Sequence, residues 1–388
     1  MSFGNYPDDG RLGTKTRKRI FSEGGFMKHV AMTGAHGFLG WHTRCAYIAT
    51  GRETLPIAVG AAFSEAAAAK ALEGSERLVH LAGVNRGSDA EVLRGNVQFA
   101  EQMADALEHV EDPPQTVVYA SSSQVGNGSV YGDAKRQASE ILSRAAERAG
   151  ASFLDVQLPN LFGEHGRPFY NSVVSTFCHL LATGGEPQIE NDKELELLHA
   201  QDAAEILMGA APIIGAQRPI ILVSEVLRQL RVMSELYTTG DIPDIESRFA
   251  RDLFNTYRSF SFAGSPTINL QRRADKRGSF FEIVRAHGGQ GQTSFSTTAP
   301  SVSRGDHFHR RKVERFSVLS GEAVISLRRL FTKDIVHFSV SGAAPSAVDM
   351  PTMWVHKISN TGSGELSTAF WSNEIFDPEF PDTFAEAV

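Results

Sequence analysis

From residue 27 to about 160, short runs of consecutive apolar residues alternate with longer Ala-rich stretches whose apolar positions recur at helical spacing. Lys28–Met32, Arg77–Leu81, Thr116–Ala120 and Phe153–Leu158 read as buried strands, and Leu55–Val59 as a weaker strand after the first. Asn96–His109 and Tyr131–Arg148 read as helices between them. Continuously apolar strands separated by helices predict a parallel sheet covered on both faces, an α/β Rossmann-like doubly wound fold. After about residue 265 the apolar period becomes two, in Thr293–Ala299, Arg315–Ser320, Ala323–Leu330, Val336–Val340 and Ser367–Asn373. Gly, Pro, Asn and Asp separate these runs, which predicts an antiparallel all-β sandwich or jelly roll. The junction falls at Ala263-Gly264-Ser265-Pro266, giving domains 27–265 and 266–388.

Bulk properties agree with two globular domains in 388 residues, 41% of them hydrophobic. The net charge of -7, with no basic block to neutralise phosphates, argues against a nucleic-acid partner. No run of about 18 apolar residues exists, so no membrane span is expected. Two cysteines, Cys45 and Cys178, build no disulfide framework, and a reducing cytoplasmic setting is expected. Residues 1–26 are polar and Gly-rich, carry the cluster TKTRKR and lack the apolar centre of a secretory leader. They are expected to be a disordered extension ahead of Met27.

The first strand runs into Thr33-Gly34-Ala35-His36-Gly37-Phe38-Leu39-Gly40, and a helix pattern follows. Gly34 permits a tight turn, Gly37 lets backbone approach a pyrophosphate, and Gly40 lets helix and strand pack closely. The helix then offers free N–H groups to phosphate. This strand–glycine–helix order predicts a dinucleotide site. No Asp or Glu caps the second strand to hold a ribose hydroxyl, which favours NADPH; Arg52 and Arg86 are candidates for its 2′-phosphate, or surface charges.

Tyr131 and Lys135 are one helical turn apart, and Ser122 follows the strand end at Thr116–Ala120. Reducing a ketone requires a proton for the developing alkoxide. A tyrosine beside an ammonium can supply it while a serine holds the oxygen. Ser121 and Ser123 are the nearest rivals of Ser122.

These motifs, with His80–Asn85 (HLAGVN), Asn96-Val97 and Ser121–Gln124, resemble the extended short-chain dehydrogenase/reductase family. The resemblance implies that Leu81, Ala82 and Gly83 line the cofactor and that Asn96 has a structural or proton-relay role. It makes Ser122, Tyr131 and Lys135 the catalytic set. His199-Ala200-Gln201-Asp202 departs from that family's usual strand end, a change expected to matter little.

In the C-terminal half, His307 and His309 lie on one face of a strand, Glu314 follows a short turn, and His356 comes on a later strand behind Pro351. Three imidazoles and a carboxylate suit a divalent metal such as Zn, Ni, Mn or Fe(II). Alternatively the histidines bind substrate directly. Lys312 is a candidate second cation, with an exposed surface role expected. The pattern is similar to the two halves of a cupin motif, except that Met353 stands where a glycine is usual.

Taken together, the halves resemble the CapF family of bifunctional capsular-polysaccharide enzymes, on His80–Arg86, Pro159–Cys178, Arg277–Ile283, His307–Gly321 and Asn373–Phe384. The resemblance implies a UDP-4-keto-6-deoxy-N-acetylhexosamine substrate, C3 epimerisation in the cupin, and NADPH-dependent C4 reduction. The product would be a UDP-2-acetamido-2,6-dideoxy-talose-type sugar. It further implies substrate contacts at Asn160, Arg167, Tyr170 and Asn171; zinc is the metal expected in the cupin, and a homodimer is expected. Two alternatives are a UDP-4-keto-sugar reductase whose cupin only dimerises, and an NAD-recycling epimerase or dehydratase.

Overall fold

The computed structural model describes residues 29–210, 217–262, 267–276 and 278–388. The N-terminal extension, Met27 and Lys28 of the first expected strand, the junction 263–266 and Arg277 lie outside the described residues.

The chain divides into two compact units, with described parts beginning after Met27 and at Met233. In the first, strands β1 (Val30–Thr33), β2 (Thr54–Ile57), β3 (Arg77–His80), β4 (Thr116–Ser122) and β5 (Ser152–Leu158) form a parallel sheet in the order β2-β1-β3-β4-β5. Strand alternation sends Ala31, Leu78 and Val117 into one core, with helices α2 (Glu65–Leu72), α3 (Asp89–Leu107) and α4 (Val130–Arg148). Val30, Met32, Val79 and Val118 enter the other core, with α1 (Phe38–Ala49) and, further along the chain, α6 (Ala200–Met208). Both faces of the sheet are thus covered, as the unbroken apolar runs predict. A smaller sheet joins β6 (Asn160–Phe162), β7 (Glu194–His199) and β8 (Ile220–Leu222), with α5 (Val173–Ala182) between the first two. Strand order reverses direction between β1 and β3, and ligands bind at the strand ends beside such a switch point.

In the second unit, α7 (Val223–Thr238) ends and α8 (Arg248–Ser261) follows, ahead of the strands. Short strands β9 (Thr267–Asn269), β10 (Arg273–Asp275) and β11 (Gly278–Phe280) come first, then β12 (Gln292–Thr298), β13 (Ser303–Phe308), β14 (Glu314–Ser320), β15 (Glu322–Arg329), β16 (Ile335–Ser341), β17 (Ser346–Met350), β18 (Trp354–Asn360), β19 (Leu366–Ser372) and β20 (Phe384–Ala385). Two antiparallel sheets, β12-β19-β14-β17-β9 and β16-β15-β18-β13-β20, share a core of Phe316, Val318, Ile325, Leu327, Val340, Val348 and Ile358. Every second residue of β14 and β15 points into it, the sandwich arrangement expected from period-two patterning. Helix α8 packs onto these strands: Asn255 donates to Arg311 O at 2.9 Å, and Arg258 to Met350 O at 2.8 Å. Phe262, just beyond it, meets Trp354 and Phe338. No helix among the described residues is long and apolar enough to cross a membrane.

Candidate active sites

The turn after β1 begins with Gly34 at φ +66°, where a Cβ would lie 2.8 Å from Ala82 N. A side chain here would therefore drive the β1 and β3 loops apart. A Cβ at Gly40 would overlap Gly34 O, so the start of α1 is held against the turn. Thr33 is buried, and its hydroxyl accepts hydrogen bonds from Leu81 N at 3.1 Å and Ala82 N at 3.2 Å. Its contribution is to shape the loop from below. Phe38 and Leu39 open α1. Helices α2, α3, α4, α5 and α8 each have a serine side chain capping the first turn, whereas α1 starts at Gly37 with no side-chain cap. Its leading N–H groups are left for an anion, and the chemistry fits a dinucleotide pyrophosphate. Beyond β2 there is no acid: the backbone of Gly60 is hydrogen-bonded in both directions by the Gln102 side chain. Arg52 pairs with Glu76 at 3.4 Å.

Ser122, Tyr131 and Lys135 converge at the C-terminal end of β4. Ser122 lies close enough to the Tyr131 phenol to oppose the rise that burial gives its pKa. Lys135 is buried, donates to Ala120 O at 2.9 Å, and lies 6.0 Å from the Tyr131 ring centre. Burial lowers the Lys135 ammonium to about 8, with the Asp155 carboxylate opposing. Burial raises the Tyr131 phenol above its usual value, only partly countered by Ser122. The phenol therefore holds its proton at neutral pH, the state a reduction needs in its acid. Asn96 is buried, its amide donating to Val84 O and Val92 O while its Oδ1 has no hydrogen-bond partner. A Cβ on Gly83 would lie 2.8 Å from that oxygen and 3.4 Å from Lys135 Nζ, so only glycine leaves room there.

Of the four residues expected on the substrate side, one lies apart and three lie together. Asn160 is exposed on β6 and donates to Glu196 O at 3.3 Å. Arg167, Tyr170 and Asn171 lie together: the guanidiniums of Arg167 and Arg86 each sit 4.9 Å from the Tyr170 ring centre. Tyr170 donates to Asn85 Oδ1 at 2.7 Å, and Arg86 to Asn171 Oδ1 at 2.8 Å. Arg86, a candidate for a cofactor phosphate, is thus joined to the segment expected to contact substrate. A further polar group was not legible in the sequence. Glu164 and His42 are wholly buried and His199 nearly so, with Glu164 Oε2 3.1 Å from His199 Nε2. His199, within the departure at His199-Ala200-Gln201-Asp202, supplies part of this buried cluster.

In the second unit, His307, His309, Glu314 and His356 each offer a ligand atom, all within 4.8 Å of one another. A bulge at Gly305-Asp306 lets His307 lie opposite His356 across β13 and β18, ring centres 4.6 Å apart. Glu314 comes from β14 in the other sheet; its Oε2 is 2.9 Å from His309 Nε2 and 3.6 Å from His356 Nε2. The outer nitrogens of two rings face carbonyls, His309 Nδ1 to Asp382 O at 2.5 Å and His356 Nδ1 to Trp354 O at 3.3 Å. That arrangement turns both Nε2 atoms inward, toward Glu314. His356 Nε2 is buried without a hydrogen-bond partner, so the set fits a divalent cation. Burial works against ionised Glu314, yet His309 and His356 hold its carboxyl well below the usual range. Burial and the neighbouring imidazoles keep His307 neutral.

One expectation changes here. Lys312 is buried, its backbone N–H held by Asp382 Oδ2 and its ammonium 5.8 Å from the Phe376 ring centre, in place of the expected exposed side chain. Met353 adopts φ +61° in place of the usual glycine, fully buried, with its N–H donated to His309 O at 2.6 Å.

A glycine-loop crevice at a switch point and a Ser–Tyr–Lys set define a nicotinamide-dependent oxidoreductase fold, and residues 30–212 match the NAD dependent epimerase/dehydratase family. Residues 273–384 match the polysaccharide biosynthesis C-terminal domain. The chain is 31% identical over 371 residues to the UDP-2-acetamido-2,6-beta-L-arabino-hexul-4-ose reductase of Pseudomonas aeruginosa, covering 92% of this chain and 98% of that one. In structure it is similar to the capsular polysaccharide assembling protein CapF of Staphylococcus aureus, with TM-score 0.58, 30% identity, and coverage of 93% of this chain and 100% of that one. A second CapF structure, with the inhibitor 3-isopropenyl-tropolone, has TM-score 0.52 and 28% identity over the same shares. The chain belongs to the family of these proteins.

Proposed function

We propose that the protein converts a UDP-4-keto-6-deoxy-N-acetylhexosamine in two steps, C3 epimerisation in the cupin and NADPH-dependent C4 reduction in the N-terminal unit. The product is a UDP-2-acetamido-2,6-dideoxy-talose-type sugar. The observation that carries this reading is the presence, in one chain, of a protonated Tyr131 beside Ser122 and Lys135 and of an inward-facing His307/His309/Glu314/His356 set. The named activity of the Pseudomonas aeruginosa relative, a 4-keto-sugar reductase, supports it.

In the first unit, NADPH would supply hydride to C4. The Ser122 hydroxyl holds the ketone oxygen, and Tyr131 donates the proton that neutralises the alkoxide. Lys135 eases the loss of that proton by its charge. Arg167 offers a guanidinium to the diphosphate, with Tyr170 and Asn171 beside it. The lack of an acid beyond β2 favours the 2′-phosphate of NADPH over NADH.

In the second unit, His307, His309, Glu314 and His356 would hold a zinc ion, which polarises a carbonyl as a Lewis acid. The chain's own contribution is to orient imidazoles and carboxylate toward one point inside the sandwich. There the C3 proton, acidic only when its enolate is stabilised, can be removed and returned. We further propose a cytoplasmic homodimer paired through its cupin sheets. The test is incubation with the UDP-4-keto sugar in deuterated water, followed by NMR. Deuterium at C3 without NADPH and a C4 alcohol with it are expected; reduction with no C3 deuterium would leave the cupin a dimerising module.

A further inference from the structure

The segment from Glu164 to Asn171 is fixed at both ends to elements that build the nucleotide crevice. At its far end, Tyr170 and Asn171 are hydrogen-bonded to Asn85 and Arg86, in the loop directly after Gly83. At its near end, His42 Nε2, one turn into α1, lies 3.0 Å from the backbone oxygen of Glu164. His42 packs edge-on against Phe38, the first residue of that helix, with ring centres 5.1 Å apart. Trp41 contacts both His42 and His165 edge-on at 5.0 Å. The Glu164 carboxylate is held from below by His199 at 3.1 Å and Gln201 at 3.4 Å. Burial alone would raise Glu164, but His199 and His42 bring its carboxyl to about 2, so the charge is kept inside the protein.

A wholly buried carboxylate is expensive unless its partners remain in place. A displacement of α1 must likewise be followed by the Glu164 backbone, or the hydrogen bond from His42 to its carbonyl is lost. The same helix carries the uncapped N-terminus beside the glycine turn. A pyrophosphate held at that end would bear on Phe38, on His42 packed against it, and through His42 on Glu164.

We infer that His42, Glu164 and His199 form a positioning clamp through which cofactor binding at the glycine loop tightens the substrate segment 165–171. The inference rests on reading that segment as the UDP-sugar site. It makes binding ordered: the dinucleotide prepares a surface that the sugar nucleotide then uses. The three residues touch neither reacting atom; they act through α1 and the segment.

The test is calorimetric titration of the full-length protein with UDP, with and without saturating NADPH. Coupling between two sites of this kind is roughly tenfold in affinity. Wild type should bind UDP about tenfold more tightly with NADPH. In His42→Leu and Glu164→Gln the UDP affinity should be the same with and without NADPH, while NADPH affinity stays within about twofold. His42→Gln, whose amide can still donate to Glu164 O, should restore the coupling. Should His42→Leu fail to fold, the contrast between Glu164→Gln and His42→Gln decides the question. Undiminished coupling in Glu164→Gln overturns the inference, as does equal weakening of UDP binding in both conditions. No UDP binding by wild type overturns the substrate reading and the clamp with it.

Discussion

Arg315 and Asp349 stand directly opposite each other on β14 and β17 and are joined by two hydrogen bonds, of 2.6 and 3.0 Å. Both are buried, and the remaining guanidinium nitrogen reaches Gly240 O at 2.6 Å while Tyr237 donates to Asp349 Oδ2 at 2.8 Å. Arg315 follows Glu314 on the strand and faces the opposite side. The pair therefore ties the strand that carries a candidate metal ligand to the end of α7.

Removing one partner leaves an uncompensated buried charge, and Asp349→Ala should cost about 3–5 kcal/mol in denaturant unfolding. The double change Arg315→Met with Asp349→Leu should recover most of it, since apolar replacement of a buried pair is often nearly neutral. Burial opposes ionised Asp349, but Arg315 holds its carboxyl below the usual value. The pair's stabilisation is thus complete above the unfolded-chain value near about 4 and declines as pH falls through the lower folded value. Wild type should lose stability in that acidic window, and Asp349→Ala should show a shallower decline.

Tyr131→Phe should lower the rate of C4 reduction roughly 10²–10⁴-fold with NADPH affinity nearly unchanged, measured by single-turnover absorbance and by calorimetry. Wild-type turnover in the variant would remove Tyr131 from the acid role.

Lys135 gives a second pH signature, of the same sign but in the alkaline range. Its folded value of about 8 lies below the 10.5 of a free lysine, so the unfolded chain holds the proton between them. Stability rises with pH across that window, by up to about 3 kcal/mol at the upper end. Comparison of unfolding curves for wild type and Lys135→Met at pH 7.5 and 9.5 should show the difference shifting toward wild type at the higher pH. An unchanged difference would mean that Lys135 is not held near 8.

In the cupin unit, His307→Ala with His356→Ala should abolish deuterium entry at C3 and reduce bound divalent metal, read by elemental analysis. NADPH oxidation with a ketone that needs no epimerisation should continue. Survival of C3 exchange in that double variant would rule the cupin out as the epimerase. Chelation should reproduce the loss where the metal takes part in the chemistry.

Met353→Gly separates two opposing effects. Relief of the left-handed backbone is worth roughly 1–2 kcal/mol. Loss of the buried side chain costs about 2–5 kcal/mol. The variant should therefore be less stable than wild type, by about 1–3 kcal/mol in thermal or denaturant unfolding. A more stable variant would show that the side chain contributes little packing.

What is legible in the sequence is whatever is local or periodic. The glycine turn, Tyr131 with Lys135, and His307 with His309 are fixed by spacings of a few residues, which strand and helix geometry convert directly into a shared face. The sandwich announces itself by period two. Residues such as His42, Glu164 and His199 carry no such signal, because their meeting depends on how β6, β7 and α1 are brought together, and no spacing encodes it. Lys312 departs from its expected exposure for a related reason: a lysine in a polar turn looks solvated until Asp382, far along the chain, closes over its backbone.

The four inward-facing groups of the cupin are divided between layers, His307 and His356 on one sheet and Glu314 on the other. An ion seated among them would be a rivet through the sandwich. Its binding energy would then be cohesion as well as reactivity, since the ligand set closes only when the two layers dock. Metal scarcity would be felt first as a looser, shorter-lived fold and a greater exposure to proteolysis, with the missing epimerisation a later symptom of the same loss.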